Sequence, residues 1–340
     1  MTKVAVVILN FNGKKFLKEF LPIVMERSGN LAEIWVADNQ STDDSVSLMK
    51  EYFPEVNLII NDENGGFSKG YNDALAKIKA EYYVLLNSDI EVTENWIQPV
   101  INLMDADKTI GACQPKILAY HNKEHFEYAG ASGGFIDKHG YPFCRGRVFQ
   151  VLEKDESQYD DATEVFWATG ACMFVRAEVY HKLGGLDEDF FAHMEEIDFC
   201  WRLKNNNYTV MVCPSSSVYH IGGGTLPKSS ARKTYLNFRN NFALLYKNLP
   251  ANRLFKVLAL RLVLDGLAGI KFLSEGHLGD FVAVIKAHFY FYKNMGKLKK
   301  KRKNLIQKDV SLIYQGNIAM DHYLRGIRYF SQLSEQRFSK

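Results

Sequence analysis

The chain has 340 residues, enough for one large domain with an appendage or for two modest domains. Its 47% hydrophobic and 24% charged content excludes a disordered chain, and a net charge of +3 gives no reason to expect nucleic acid as a partner. The cysteines Cys113, Cys144, Cys172, Cys200 and Cys213 are scattered with no CxxC pair, which fits free thiols in a reducing cytoplasm better than a disulfide framework.

The opening MTKVAVVILNFNG starts a strand at once and carries no small-residue cleavage site, so it does not read as a signal peptide. Residues 3–9 predict a strand and residues 14–25 a helix. Residues 33–37 form a second strand that ends at Asp38. Ser41 is the expected N-cap of the next helix, with Asp44 at the capping-box position. Residues 56–60 and 82–86 are the third and fourth strands. This alternation predicts an α/β fold with a mainly parallel sheet. Beyond residue 110, Gly130, Gly133, Gly134, Gly140 and Gly146 punctuate an irregular stretch of hairpins or an active-site loop. A helix over 195–204 and a strand over 209–212 close this part. From residue 233 the pattern is helical and basic, so the expected division is 1–232 and 233–340.

Polar clusters follow each of the four predicted strands. They are Asn10 with Asn12; Asp38, Asn39 and Ser41; Asn64, Gly65, Gly66, Gly70 and Asn72; and Asn87, Ser88 and Asp89. Ligands of open α/β sheets collect at the carboxyl ends of strands, and Asn and Asp offer the donors and acceptors to read a base and a ribose. The glycines of the third cluster let backbone approach a ligand ahead of a helix N-terminus. Ordinary turn chemistry is the competing reading for any one cluster. No GxxxxGK[ST] loop or dinucleotide GxGxxG occurs. Asp89 can hold a divalent cation, and the cation a diphosphate, or Asp89 can simply cap the next helix.

Farther on, Glu195, Glu196 and Asp198 crowd the start of a helix with Arg202. The helix dipole and an Asp198–Arg202 pair account for part of this pattern. One of Glu195 and Glu196 is the candidate general base. His220, ahead of Gly222, Gly223 and Gly224, is either a neutral imidazole metal ligand or a surface histidine. Arg145 and Arg147 can meet phosphate, with surface salt bridging as the default. Trp167, with Gly170 nearby, can wall an acceptor site or fill the core.

The order VAVVILNFNG, EIWVADNQSTDDS, NDENGGFSKGYN, VLLNSD, FWATGACMFVRAEVYHKLGGLDEDFFAHMEEIDFCWRL and VYHIGGG resembles glycosyltransferase family 2, in particular its bacterial rhamnosyltransferase-like branch. The resemblance covers residues 3 to about 245. It implies a GT-A fold, inverting sugar transfer and a nucleotide-diphosphate sugar donor (dTDP-rhamnose-like or a UDP-sugar) with Mg²⁺ or Mn²⁺. It implies a glycan or polyprenyl-linked acceptor in cell-surface polysaccharide synthesis. By the same resemblance Asp38 contacts the base, Asn10 and Asn39 lie nearby, and residues 64–72 line the nucleotide site. Asp89 becomes the metal carboxylate, His220 a metal-contacting histidine and Glu196 the base. Two positions depart from the pattern: Asn87 replaces the first Asp of the Asp-x-Asp motif, and Glu195-Glu196 replaces the commoner Glu-Asp. A nucleotidyltransferase and a non-catalytic sugar-nucleotide-binding protein are the alternatives.

The C-terminal region holds two amphipathic candidates, 254–273 and 281–292, followed by the basic run Lys297-Leu298-Lys299-Lys300-Lys301-Arg302-Lys303. Aromatic amphipathic helices beside a polybasic stretch suit an anionic membrane surface, which places the protein on the inner face of the cell membrane as a peripheral, cytoplasmic enzyme. The competing reading is a helical appendage that packs on the catalytic domain or forms a homodimer, with a solvated basic loop.

Overall fold

The computed structural model describes residues 2–222 and 230–340. It opens with β1 (Thr2–Asn10), α1 (Lys14–Ser28), β2 (Glu33–Asp38), α2 (Ser45–Tyr52), β3 (Asn57–Ile60), α3 (Gly66–Leu75) and β4 (Ala80–Asn87). The pleat of β1 sends Val4, Val6 and Ile8 to one face, where Leu17, Leu21 and Val24 of α1 meet them. Ala5 and Val7 point to the other face, against Tyr71, Ala74 and Leu75 of α3. Both faces are covered, and this is why the strand reads as an unbroken apolar run. β1 pairs in parallel with β2 and β4, and β2 with β3. The helix after β2 starts later than expected, at Ser45, and Asp44 caps it without a side-chain hydrogen bond. Ser41 is employed elsewhere, as described below.

The middle of the chain contributes β5 (Ile90–Val92), α4 (Gln98–Ala106), β6 (Ile110–Ala119), β7 (Asn122–Phe126), β8 (Gly134–Asp137), β9 (Pro142–Cys144), β10 (Arg147–Val148), β11 (Val151–Leu152), β12 (Thr163–Glu164) and β13 (Cys172–Arg176). After α5 (Ala177–Lys182) and α6 (Glu195–Asn205) comes β14 (Thr209–His220). This last strand is far longer than the expected 209–212. It passes Pro214 through a register shift between Cys213 and Ser217, a bulge that accommodates the missing N–H, and resumes pairing with β6. Among the described residues the main sheet runs β12-β14-β6-β13-β4-β1-β2-β3, with β5 on β14 and β7 on β6. All five cysteines are buried and free.

The C-terminal part comprises α7 (Ala231–Asn248), α8 (Ala251–Ser274), α9 (Leu278–Lys293), α10 (Met295–Lys303), β15 (Ile313–Tyr314) and α11 (Ile318–Arg325). It is tied to the earlier chain at several places. β15 adds in parallel to β8, extending a second sheet of order β11-β10-β9-β8-β15. α7 packs along α6, where Asp198 receives Asn248 and pairs with Lys247, both at 2.8 Å. The basic run, for which the competing reading was a solvated loop, is helix α10. Its Lys297 and Lys301 pair with Asp189 and Asp187, and its Arg302 donates to the Tyr246 carbonyl.

Candidate active site

Strand register assembles one side of the site. Asn10 lies beside Asp38, Asp38 beside Ile60, and Leu9 beside Asn87, so the four polar clusters emerge along one sheet edge. Their side chains interlock. Asn10 Nδ2 donates to Asp38 Oδ1 at 3.0 Å and to Ser41 Oγ at 3.1 Å, while Ser41 N donates to Asp38 Oδ2 at 2.8 Å. Asn12 is in the left-handed region, with φ 52°. Its N–H donates to Ser41 Oγ, and its Oδ1 accepts from the N–H groups of Thr42 and Asp43. Ser41 therefore binds the first two loops together instead of capping α2. Asn39 Nδ2 donates to Asn64 Oδ1 and to the Gly66 carbonyl, and Asn61 Nδ2 donates to Asn39 Oδ1. Asn61 escaped the sequence reading although it ties the second and third loops. Asp38 is buried with two of its acceptor positions engaged, which leaves others for a ligand, and Asn10 Oδ1 is buried with no partner.

The Asn64–Asn72 stretch divides into two roles. Asn64 Oδ1 accepts from Gly66 N, and Gly65 is the residue before α3. Gly66 has φ 82°, and a Cβ there would come within 2.5 Å of the Phe191 carbonyl, so only glycine fits. A Cβ on Gly70 would sit 2.8 Å from Leu9. Asn72 points away from the strand edge: its amide bonds both the N–H and the carbonyl of Leu186, and accepts from the Tyr180 hydroxyl.

Asp89 is placed by a different pairing. β5 runs antiparallel to β14 with Ile90 opposite His220, and Ile221 N donates to the Asp89 carbonyl at 3.2 Å. His220 Nε2 thereby lies 3.2 Å from Asp89 Oδ1, and Asn87 Nδ2 lies 3.5 Å from the same ring nitrogen. On the other side of the ring, His220 Nδ1 lies 3.3 Å from Glu127 Oε2. Burial alone would lower the imidazole pKa, but Glu127 and then Asp89 outweigh it and push it up to about 10. Glu127 follows β7, its N–H bonded to the Ile117 carbonyl, and no sequence signal marked it within the glycine-rich stretch. Ser88 lies close to Asn10 across Gly13, where a Cβ would stand 3.4 Å from its hydroxyl and 2.3 Å from Asn10 Oδ1. Gly222 is described, whereas Gly223 and Gly224 lie outside the described residues.

The residues fit a hard divalent cation in a limited way. Among the described residues no three His, Cys, Asp or Glu side chains form a group able to hold a metal ion by themselves. Asp89 and His220 offer one carboxylate and, once deprotonated, one imidazole. Mg²⁺-type sites accept such sparse protein ligation when substrate phosphates and water complete them.

The other side of the site is the loop before α6. Phe191, His193 and Met194 all have positive φ, at 63°, 71° and 72°. Each costs on the order of 1–3 kcal/mol unless its surroundings enforce it. Asn240 of α7 enforces it, with Nδ2 donating to the carbonyls of Phe190, Ala192 and His193 at 2.7–3.0 Å. Arg239 adds bonds to the Asp189 and Phe190 carbonyls. The pair Asn240-Asn241 was the overlooked signal, because asparagine is a poor choice for a helix interior unless its side chain has work to do. The strained turn delivers Glu195 and Glu196 to the first turn of α6, and each keeps one buried Oε2 without a partner. Burial, then the neighbouring Glu196 and Asp198, hold Glu195 well above the usual carboxyl range; burial pushes Glu196 up to about 7.

The two sides meet through residues 170 and 171. A Cβ on Gly170 would lie 3.8 Å from the Glu196 Cβ and 2.9 Å from the Phe67 ring. The next carbonyl, Ala171, accepts from Asn87 N at 2.9 Å. The remaining expected residues lie in the interior. Trp167 is buried with its ring over Gly134 and Nε1 bonded to the Phe135 carbonyl. Arg145 is paired with Asp161 and stacks on Tyr159. Arg147 is bonded to the Phe149 carbonyl and stacks on Tyr128. Asp198 and Arg202 form the expected i,i+4 pair at 2.9 Å, and Arg202 also caps the carbonyls of Leu183 and Gly185.

Comparison with known proteins gives the family. Residues 5–184 match the family model described as Glycosyl transferase family 2. The chain is 25% identical over 248 residues to the low-salt glycan biosynthesis hexosyltransferase Agl10 of Haloferax volcanii, covering 70% of this chain and 74% of that protein. It is 23% identical over 233 residues to the N-acetylglucosaminyl-diphospho-decaprenol L-rhamnosyltransferase of Mycobacterium tuberculosis, covering 63% and 75%. Among solved structures it superposes on the mannosyltransferase PcManGT from Pyrobaculum calidifontis, in complex with GDP-Man and Mn²⁺, with a TM-score of 0.51 at 16% identity, over 89% of this chain and 85% of that one. With more than half of its length inside the family model, the chain belongs to glycosyl transferase family 2 and is a glycosyltransferase of the GT-A fold.

Proposed function

We propose that this enzyme transfers a sugar, of the rhamnosyl type or a related hexosyl type, from a nucleotide-diphosphate donor to a glycan or polyprenyl-linked acceptor, with inversion at the anomeric carbon. The observation that carries the reading is the meeting of two unlike acid clusters across Gly170 and Ala171. One is the Asp89–His220 pair at a strand edge; the other is a half-buried Glu196 whose pKa stands at about 7. Names of relatives supply the chemical class: a hexosyltransferase of glycan synthesis and a rhamnosyltransferase whose acceptor is a decaprenyl diphosphate sugar.

In this reading the loops after β1, β2 and β3 hold the nucleotide, with the free acceptor positions of Asp38 and Asn10 toward base and ribose. The first turn of α3 lies beside them. Asp89 and His220 hold a divalent cation, as the Mn²⁺ of the mannosyltransferase complex suggests, and that ion supplies Lewis-acid neutralisation of the departing diphosphate. Glu196, with a pKa near neutrality, is matched to taking a proton from the attacking hydroxyl. A single displacement with the base opposite the leaving group inverts the configuration. Glu195 lies in the same turn, where burial and then the neighbouring Glu196 hold its pKa well above the usual carboxyl range.

The test is a panel of dTDP-, UDP- and GDP-sugars with a short polyprenyl-diphosphate sugar acceptor, assayed with Mg²⁺ or Mn²⁺ and with chelator, followed by NMR of the anomeric product. Metal-dependent transfer with inverted configuration is expected. A retained configuration would sink the assignment of Glu196, and thermal stabilisation by donors without any turnover would point to a binding protein.

A further inference from the structure

Helix α8 is built inside out. Its buried residues are Arg261, Asp265 and Gly269, whereas Phe255, Leu262, Val263, Leu267 and Ile270 face outward, 48–83% exposed. The charged side is fully employed. Arg261 donates to Asp265 Oδ1 at 2.8 and 3.1 Å, to the Asn241 side chain at 2.6 Å and to the His139 carbonyl at 2.8 Å. The helix is therefore anchored by this polar stripe, with Leu254, Val257 and Leu258 packed on the core at its start, and presents the rest of its apolar surface away from the protein. α9 buries an ordinary apolar side, Ala283, Val284, Ala287 and Phe291, but also leaves Leu278, Val282, Ile285 and Phe289 exposed. Between the two helices runs an apolar groove of about 250 Å³, lined by Leu262, Gly266, Phe281, Ile285, Phe289 and Tyr292. A contiguous outward apolar face of this kind marks a surface that something covers.

Charge identifies the occupant. Across residues 251–293 the exposed charged side chains are Lys256, Lys271, Lys286 and Lys293 with a single acid, Glu275, and Glu275 is already paired with Lys271. A second copy docked face to face would bring lysines against lysines. An anionic bilayer satisfies both features, taking the leucines and phenylalanines below its headgroups and pairing the lysines with lipid phosphates. Among the described residues no helix is long and apolar enough to cross a membrane.

The same face lies next to the catalytic loop. Thr234 of α7 donates to Asp280 at 2.5 Å, and a Cβ on Gly279 would lie 3.4 Å from Ala231. One residue along, Arg232 stacks over the Phe191 ring at 5.3 Å. The α8–α9 turn therefore sits beside the loop that delivers Glu196. By contrast, the basic run of α10 spends Lys297, Lys301 and Arg302 on contacts within the protein.

We infer that the α8–α9 face docks flat on an anionic bilayer and holds the Glu196 loop at headgroup level, where a lipid-linked acceptor presents its sugar. This rests on the acceptor proposed above being lipid-linked, but the docking itself is measured without any substrate. The experiment is flotation of the full chain with vesicles of phosphatidylcholine alone and of phosphatidylcholine mixed with phosphatidylglycerol. Wild type should float with the mixed vesicles, and V263E/L267E/I270E should lose at least about tenfold in binding. K256E/K286E should lose roughly fivefold per lysine, the equivalent of about 1 kcal/mol each. K299E/K300E, on the exposed side of α10, should float like wild type. All variants should keep wild-type thermal melting and donor-dependent transfer to a water-soluble acceptor. Flotation of V263E/L267E/I270E equal to wild type would overturn the docking. So would light scattering that shows a wild-type dimer which these substitutions dissociate. If transfer fails with every donor and acceptor while flotation behaves as described, the proposed reaction falls and the docking surface stands.

Discussion

On the strand side of the cleft, Asn10, Asp38, Asn39 and Ser41 are bonded largely to one another, on backbone set by parallel pairing. On the helix side, Glu195 and Glu196 stand on three residues of unfavourable backbone conformation, each with an unbonded carboxyl oxygen. The first side is largely interlocked before any ligand arrives, with Asn10 Oδ1 and part of Asp38 left to accept from one. The second stores strain and unused bonding capacity, and it persists because Asn240 and Arg239 reach over from α7. In the proposed reaction the contrast separates recognition from chemistry: a rigid edge suits selection of a nucleotide, whereas a desolvated carboxyl is suited to moving a proton.

Removing the reactive side should have the largest effect. Glu196→Gln is expected to lower kcat by roughly 10²–10⁴-fold with little change in donor KM, measured by initial rates under saturating donor. A kcat within twofold of wild type would erase the distinction between the two sides. Next comes the metal pair. Asp89→Asn should cost on the order of a hundredfold in turnover, and excess Mn²⁺ should recover only part of it. Glu127→Gln sharpens the point, because it leaves both proposed ligands in place and removes only the charge behind His220. Metal affinity by titration calorimetry should fall about 10–100-fold. In the metal-free protein His220 is raised to about 10 from 6.5, so it is an imidazolium at neutral pH, and metal binding should release a proton and tighten as pH rises.

Loosening the strained loop should act more gently. Asn240→Ala removes the side chain that three carbonyls share and should destabilise the fold by about 1–3 kcal/mol in denaturant titration, with a matching drop in kcat. The smallest effect is one of pH on stability. Glu196 has a folded pKa of about 7 against an ordinary 4.5, so the folded state holds more protons than the unfolded state between these values. This group's contribution is therefore favourable at low pH and is lost as pH rises through that window. Glu196→Gln should flatten the decline, giving a Tm at pH 8 above that of wild type. An unchanged slope would mean the carboxyl is better solvated than the geometry shows.

Much of the strand side was legible in the sequence. Apolar runs ending in Asn10, Asp38 and Asn87 mark buried parallel strands, and polar residues at such ends can only fall on one sheet edge. The capping role of Ser41 was misread because a helix N-cap and a loop-bridging hydroxyl carry the same local pattern; the deciding partner, Asn10, is 31 residues away. The length of β14 was misread for a similar reason, since Pro214 looks like a terminator until β6 is present to pair beyond it.

The chain's own pattern determined that there would be a parallel sheet with polar strand ends, an acidic helix start and amphipathic C-terminal helices, because each is a matter of neighbours within a few residues. Tertiary structure alone decided that Glu127 stands behind His220, that Asn240 holds the Glu196 loop, and that the apolar stripes of α8 and α9 point outward. These depend on which distant segment supplies the partner for each polar group, and periodicity can say that a helix has two faces without saying which one the protein keeps.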